Sequence, residues 1–462
     1  MAPAEPAAAA AAAGTVPAEP AAAAGTVATE PAAAAGTLSA EPAAAAGTLR
    51  FVVLGGSAPG TVQLIDALAD RPPESFAHRL AGLDLVLYGR SPERLAQVAR
   101  AARLRAAQLG LAVTVTTETE RSGALTGADI VLNQIRPGGL EQRSADESFP
   151  RQFGIPGEET LGPGGFACAV RAVAGLRPVW ADAASRCPDA LLINLTNPAG
   201  IVTQAARAEF GLDVISVCDS PLDLLAAAAE RLGRTDATGL RARYVGMNHI
   251  GWYVPESGAE LDRLADLAPG LDPDLARLHG ALAGPYLRYY AHPDRMLAAQ
   301  QGRPTRADQL RELASSALEM FGRGELPAAW QRPAPWYSLA VVPLVDAWLA
   351  GSGPPLIVGL PNRGRLSWLP DDVIVEGPAV ATRPGVLEPE PVASLPDLLR
   401  GILARHASYE RLAATVLAAG PPTDDDLTRI LLANPLVSSL DQARGVAAAI
   451  VARMSVFDPD WR

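Results

Sequence analysis

The stretch LRFVVLGGSAPGTVQLIDALAD, residues 49–70, decides the fold. An apolar run of strand character leads into a Gly-Gly turn and then an amphipathic helix, the first half of a dinucleotide-binding βαβ unit. Glycine lets the backbone approach a pyrophosphate closely, and the N-terminus of the following helix favours its charge. Gly55, Gly56 and Ser57 are therefore the candidate cofactor cradle, although Gly60 departs from the GxGxxG spacing. Taken alone, the turn reads equally well as a βα connection that binds no phosphate. Its surroundings extend the pattern. LDLVLYGR (83–90) reads as a strand and SPERLAQVARAARLRAAQLG (91–110) as a helix, and strands recur at ADIVLNQI (128–135), DALLINLTNP (189–198) and LDVISVCDSP (212–221). Strands alternating with helices in this way predict an α/β fold built on a doubly wound parallel sheet.

Upstream, residues 17–27, 28–38 and 39–49 read PAEPAAAAGTV, ATEPAAAAGTL and SAEPAAAAGTL, near-copies of one 11-residue unit. Each unit carries a Pro and a Gly that interrupt helix and lacks the large apolar side chains a core needs, so residues 1–48 are expected to be a disordered tail. The tail has neither the basic start of a signal peptide nor the arginines of a transit peptide. No stretch of about 18 uninterrupted apolar residues occurs, so no membrane span is expected. A net charge of −11 and a pI near 5.1 argue against a nucleic-acid partner. The three cysteines, Cys168, Cys187 and Cys218, fit neither a disulfide framework nor a CxxC zinc site, which points to a reducing cytoplasm.

The rest of the chain carries an ordered series of motifs. QIRPGGLEQRSADES (134–148), GIPGEETLGPGGFACAVRAV (154–173), NLTNPAGIVTQA (194–205), CDSP (218–221) and GMNHIGW (246–252) come first. PYLRYYAHPD (285–294), GRPTRADQL (302–310), PLIVGLPNRGRLSWLPDDVIVEGPA (355–378), YERL (409–412) and ANPLV (433–437) follow. Each is weak alone, but the ordered set resembles glycoside hydrolase family 4 over nearly all of residues 50–455, nearest its 6-phospho-β-glucosidases. The resemblance implies an NAD- and Mn²⁺-dependent hydrolase of a small 6-phosphorylated glycoside, forming a homo-oligomer, dimer or tetramer. Bound NAD⁺ oxidises the sugar at C3, a base removes the acidified C2 proton, the C1 aglycone is eliminated, water adds and the ketone is reduced again. Such chemistry departs from the usual pair of glycosidase carboxylates, and the protein's part is to position and polarise.

That resemblance assigns residues. Cys218 and His249 match the metal ligands; alone, each would read as an ordinary buried side chain. Tyr286 matches the C2 base, with Tyr289 in reserve; without the family, Tyr286 and Tyr290 would read as one packed helix face. Asp219, beside the metal ligand, matches the acid that protonates the leaving oxygen in α-acting members, whereas PYLRYY and RPAPWYSLAVVPLVDAW (332–348) look closer to β-acting ones. The plain alternative is that Asp219 braces the turn before Pro221. Asn197 matches the residue that binds sugar hydroxyls, and Arg143 and Arg306 those that hold the 6-phosphate, a task suited to the planar guanidinium fork. Two positions depart from pattern. Arg90 ends the second strand where an acidic residue commonly meets the ribose 2′-OH, which leaves NADP⁺ open, and Gly-Gln-Glu-Thr reads Gly-Glu-Glu-Thr, placing Glu158 in the site. The expected architecture is a Rossmann-type domain over 49–235 followed by a mixed α/β substrate domain over 236–462. The alternatives are a sugar or hydroxy-acid dehydrogenase and a catalytically silent sugar-phosphate sensor.

Overall fold

The computed structural model describes residues 38–39, 48–79, 82–267 and 271–457. Five apolar segments rich in Val, Ile and Leu pair in parallel as the alternation predicts, joined by a sixth, Thr114–Glu118, which follows the helix Pro92–Leu109. Numbering Leu38–Ser39 as β1, these are β2 (Thr48–Leu54), β3 (Gly82–Tyr88), β4 (Thr114–Glu118), β5 (Ile130–Asn133), β6 (Leu191–Asn194) and β7 (Val214–Ser216). Their spatial order is β4-β3-β2-β5-β6-β7, all parallel, so the strand order reverses between β2 and β5. That reversal opens a crevice at the carboxyl ends of β2 and β5, where such sheets bind their ligands.

Beyond β7 the same sheet continues antiparallel with β8 (Tyr244–Met247), β9 (Ile250–Tyr253), β10 (Leu282–Ala283), β11 (Leu356–Pro361), β12 (Ile374–Arg383) and β13 (Val386–Pro389). β11 joins β7, and the order outward is β11-β12-β8-β9-β10, with β13 beside β12. The described residues belong to one compact unit, and the division expected near residue 235 runs through a shared sheet. The β7–β11 junction is narrow: Ser216 faces Gly359, and a Cβ at Gly359 would lie 2.0 Å from Ser216 Oγ. Of the repeat tail, Leu38–Ser39 pairs with β13 and Thr48 opens β2; the remainder lies outside the described residues. Among the described residues no helix is long and apolar enough to cross a membrane.

Helices cover both faces of the parallel half. One apolar cluster packs Leu64 and Leu68 against Val53, Leu85 and Ile130, and another packs Phe166, Val170 and Tyr409 with Val52, Val131 and Leu192. Burial on both faces explains why these strands read as continuous apolar runs rather than as alternating ones.

Candidate functional site

The crevice at the sheet reversal is shaped by two glycines. Gly55 takes φ +85°, a region L side chains rarely adopt, and a Cβ at Gly56 would lie 2.8 Å from Leu87 Cβ. The N–H groups of both glycines donate to the Tyr88 carbonyl, at 3.0 and 2.8 Å. Their contribution is thus the turn and the close approach, and their amides are already committed. Ser57 lies over the end of β3, its Oγ 3.1 Å from the position of a Gly89 Cβ, and Arg90 stands exposed beside it. Across the crevice, Gln134 donates to Thr61 Oγ1 (2.9 Å) and accepts from Tyr337 Oη (2.7 Å). Gln63 accepts from Ala334 N (2.9 Å) and donates to the Arg332 carbonyl (3.0 Å), so the 332–337 segment is fastened over this crevice.

Past the crevice lie the ends of β7 and β8. Cys218 lies two residues beyond β7 and is buried, with its Sγ 3.8 Å from Asp219 Oδ1. Asp219 opens the helix Ser220–Leu232, and its side chain makes no capping hydrogen bond to that helix. Burial raises the Asp219 carboxyl above the usual carboxylate range, against hydrogen bonds to its charged form. Burial likewise raises the Cys218 thiol well above its ordinary value, and Glu376 and Asp219 add to the effect.

His249 is the second of two residues linking β8 to β9, a tight hairpin whose last pair is Met247–Ile250. Its φ of +67° lies in the left-handed region, which costs a non-glycine residue on the order of 1 kcal/mol. The His249 ring stacks on Tyr286, centroids 3.8 Å apart and planes within 3°. Its Nδ1 is buried with no hydrogen-bond partner among the described residues. Burial lowers the imidazole to about 4, with Glu159 opposing, so the ring is neutral at ordinary pH and its lone pair is available. Cys218 lies within electrostatic reach of Tyr286, on which His249 stacks, and an orphaned imidazole nitrogen and a thiol are donors that suit a divalent cation. Among the described residues no group of three or more His, Cys, Asp and Glu side chains is assembled for a metal, and this pair would leave positions open to substrate.

Tyr286 and Tyr290 do not share one regular helix face: a short turn, Pro285–Leu287, precedes the four-residue helix Arg288–Ala291. Tyr289 is buried in an apolar cluster, while Tyr286 is half-buried against His249. Burial, then Glu158, pushes the Tyr286 phenol well above its ordinary value, so a cation at Cys218 and His249 would oppose these effects and favour the phenolate.

Arg143 is buried, donating to Glu147 Oε1 at 2.7 Å and lying 2.9 Å from Glu159 Oε1. Glu159 also pairs with Arg136; burial works against its ionisation, but Arg136 and Arg143 outweigh it and hold the carboxyl at about 2. The second oxygen of Glu147 accepts from Ala307 N (2.9 Å), which brings the helix Arg306–Gly322 onto the Arg143 helix. Arg306 begins that helix with its guanidinium exposed, donating to Gln309 Oε1 at 2.9 Å. Arg143 is therefore pinned between carboxylates and Arg306 faces solvent. Asn197 is half-buried, and its carbonyl accepts from Cys168 Sγ at 3.4 Å.

Glu158 is buried, its Oε2 accepting from Thr160 N (2.6 Å) and Leu161 N (2.7 Å). Burial, reinforced by Glu159, raises its carboxyl to about 7. The folded chain thus holds this proton more tightly than the unfolded chain. The associated stability is fully present below the unfolded value near 4.3 and is lost as pH rises through about 7. Glu158→Gln should change stability little at pH 4 and stabilise by roughly 3 kcal/mol at pH 8. Urea unfolding at the two pH values checks this, and an equal effect at both would contradict it.

The family model of the family 4 glycosyl hydrolases matches residues 52–233, and that of their C-terminal domain matches residues 244–437. A probable 6-phospho-β-glucosidase of Bacillus subtilis (strain 168) is 28% identical over 444 residues, covering 89% of this chain and 98% of the relative. A maltose-6′-phosphate glucosidase of the same organism is 26% identical, covering 88% and 96%. Among solved structures, the Thermotoga maritima 6-phospho-β-glucosidase with NAD and glucose 6-phosphate is similar, with a TM-score of 0.79, 23% identity and coverage of 89% and 99%. A 6-phospho-α-glucosidase from gut microorganisms with NAD and Mn²⁺ gives a TM-score of 0.75 at 21% identity, covering 90% and 100%.

Proposed function

The chain belongs to glycosyl hydrolase family 4, and on that premise we propose that it hydrolyses a 6-phosphoglucoside by oxidation and elimination, with NAD⁺ and Mn²⁺ as cofactors. The observation that carries the reading is the His249–Tyr286 stack at 3.8 Å, which sets the general base against a metal ligand. When bound, NAD⁺ would supply hydride exchange at sugar C3, and Mn²⁺ would polarise the C2 and C3 oxygens.

Gly55, Gly56 and Ser57 admit the dinucleotide at the sheet reversal, and Arg90 flanks its ribose, where it suits NADP⁺ as well as NAD⁺. Cys218 and His249 hold the cation. Tyr286 takes the C2 proton, and Asp219, whose carboxyl burial raises, donates a proton to the leaving C1 oxygen. Asn197 binds sugar hydroxyls. Arg143, held rigid by Glu147 and Glu159, and the exposed Arg306 grip the 6-phosphate from adjoining helices.

A panel of α- and β-nitrophenyl glucosides, with and without 6-phosphate, tests this. Turnover is expected with the phosphorylated compounds, requiring NAD⁺, Mn²⁺ and thiol reductant, with no net NADH. Stoichiometric NADH would instead mark a dehydrogenase. Arg306→Ala should raise KM for the 6-phosphoglucoside by about 10- to 150-fold, the loss of one charge-assisted contact. An equal change with the dephosphorylated analogue would remove Arg306 from phosphate binding and leave the reaction class intact.

A further inference from the structure

His249 occupies a position its local sequence does not favour. It is the second central residue of a two-residue hairpin, at φ +67°, where glycine is preferred. Nδ1 of His249 has no hydrogen-bond partner among the described residues and is the nitrogen left for the cation, so no hydrogen bond at that nitrogen fixes the ring. The ring must then be oriented by its stack on Tyr286 and by its backbone. What holds that backbone is the preceding residue. Asn248 is buried, and its Oδ1 accepts from Ala199 N at 3.2 Å.

Ala199 begins the helix Ala199–Phe210, two residues after Asn197. The loop before it is itself fixed by a buried amide network. Asn133 Nδ2 donates to Asn194 Oδ1 (2.9 Å) and Thr196 Oγ1 (3.0 Å), and Thr196 Oγ1 donates to the Ile135 carbonyl (2.7 Å). Asn133 and Asn194 are completely buried at the ends of β5 and β6. These bonds anchor the base of the loop bearing Asn197 on the parallel side, and Asn248 ties the antiparallel hairpin to it.

We propose that Asn248 is a positioning residue that locks His249 and the Asn197 loop into one register, so that cation binding and sugar binding are coupled through the Asn248–Ala199 hydrogen bond. The proposal rests on His249 being a metal ligand. Removing the acceptor frees the hairpin tip to relax from its left-handed conformation, which turns the ring away from Tyr286. Coupling of this kind is reciprocal: an ordered metal site orders the loop, and the converse holds.

The test uses the NAD-loaded full chain and Mn²⁺ alone, with free Mn²⁺ followed by electron paramagnetic resonance. Asn248→Leu is expected to weaken Mn²⁺ binding by about 10- to 100-fold, as for other supporting partners of metal ligands. It should also raise KM for the 6-phosphoglucoside. Asn248→Asp retains the acceptor oxygen and should remain within about threefold of wild type on the same scale. In the wild-type protein, which needs no substitution to fold, Mn²⁺ should slow amide hydrogen exchange in the 195–205 segment. Asn248→Leu with wild-type affinity, Asn248→Asp as weak as Asn248→Leu, or exchange indifferent to Mn²⁺ would each overturn the positioning role. His249→Ala separates the two levels. If it binds Mn²⁺ normally, the ligand assignment itself fails; if it loses Mn²⁺ while those measurements show no coupling, only the role of Asn248 fails.

Discussion

Tyr286→Phe is expected to lower kcat by about 10²–10⁴-fold, the usual loss on removing a general base, with little change in thermal stability. The substitution keeps the ring that stacks on His249 and removes only the ionisable oxygen. Burial and the carboxylates Glu158 and Glu159 oppose formation of a phenolate at that oxygen. A nearby cation would oppose that balance, so on the proposed mechanism the tyrosine should act as a base with the metal in place. In D₂O the sugar released by the wild-type protein should carry deuterium at C2, because a proton held on a half-buried phenol exchanges before it returns. Displacement at C1 breaks no bond at C2, and product free of deuterium would point to that route or to a base sealed from solvent. Full activity in Tyr286→Phe with none in Tyr289→Phe would transfer the role to the residue buried three positions on.

Cys218→Ala should reduce turnover by about 10³-fold or more, since Lewis-acid stabilisation contributes several kcal/mol to a transition state. The substitution leaves His249 as the lone remaining member of the ligand pair. Chelation of the wild-type protein should abolish activity, Mn²⁺ should restore it, and oxidation of the thiol should block that restoration. Activity in exhaustively chelated Cys218→Ala equal to wild type would end the metal assignment. Burial of the thiol, reinforced by Glu376 and Asp219, makes it a poor nucleophile without a cation, so Cys218 should also resist alkylating agents in metal-free protein.

The parts of this molecule that follow local rules were legible in its residues. The β2 turn announces itself because a left-handed Gly55 and a crowded Gly56 can be served by glycine alone. The parallel strands are legible because burial on both faces leaves uninterrupted apolar runs. The Arg143–Glu147 pair lies at helical i, i+4 spacing and could have been found. Glu159 could not, since its partners Arg136 and Arg143 reach it only through tertiary packing. The same holds for the 332–337 segment over the crevice, fixed by Gln63 and Gln134 from distant elements. Asn248 was hidden for a further reason: beside a histidine in a familiar motif it reads as context, and only its bond to Ala199 reveals a task.

The narrow seam between β7 and β11 has a consequence for the chain as it leaves the ribosome. The parallel half is complete in sequence once Ser216 has emerged, but the strand that covers its edge begins at Leu356, about 140 residues later. At roughly 5–20 residues per second, β7 waits on the order of 7–30 seconds with its hydrogen-bonding edge open. A long apolar edge in that interval would invite pairing with other nascent chains. β7 is three residues long, and the matching strand meets it through a single glycine. The brevity of that strand keeps the half-made sheet from recruiting strangers while its own partner is still being synthesised.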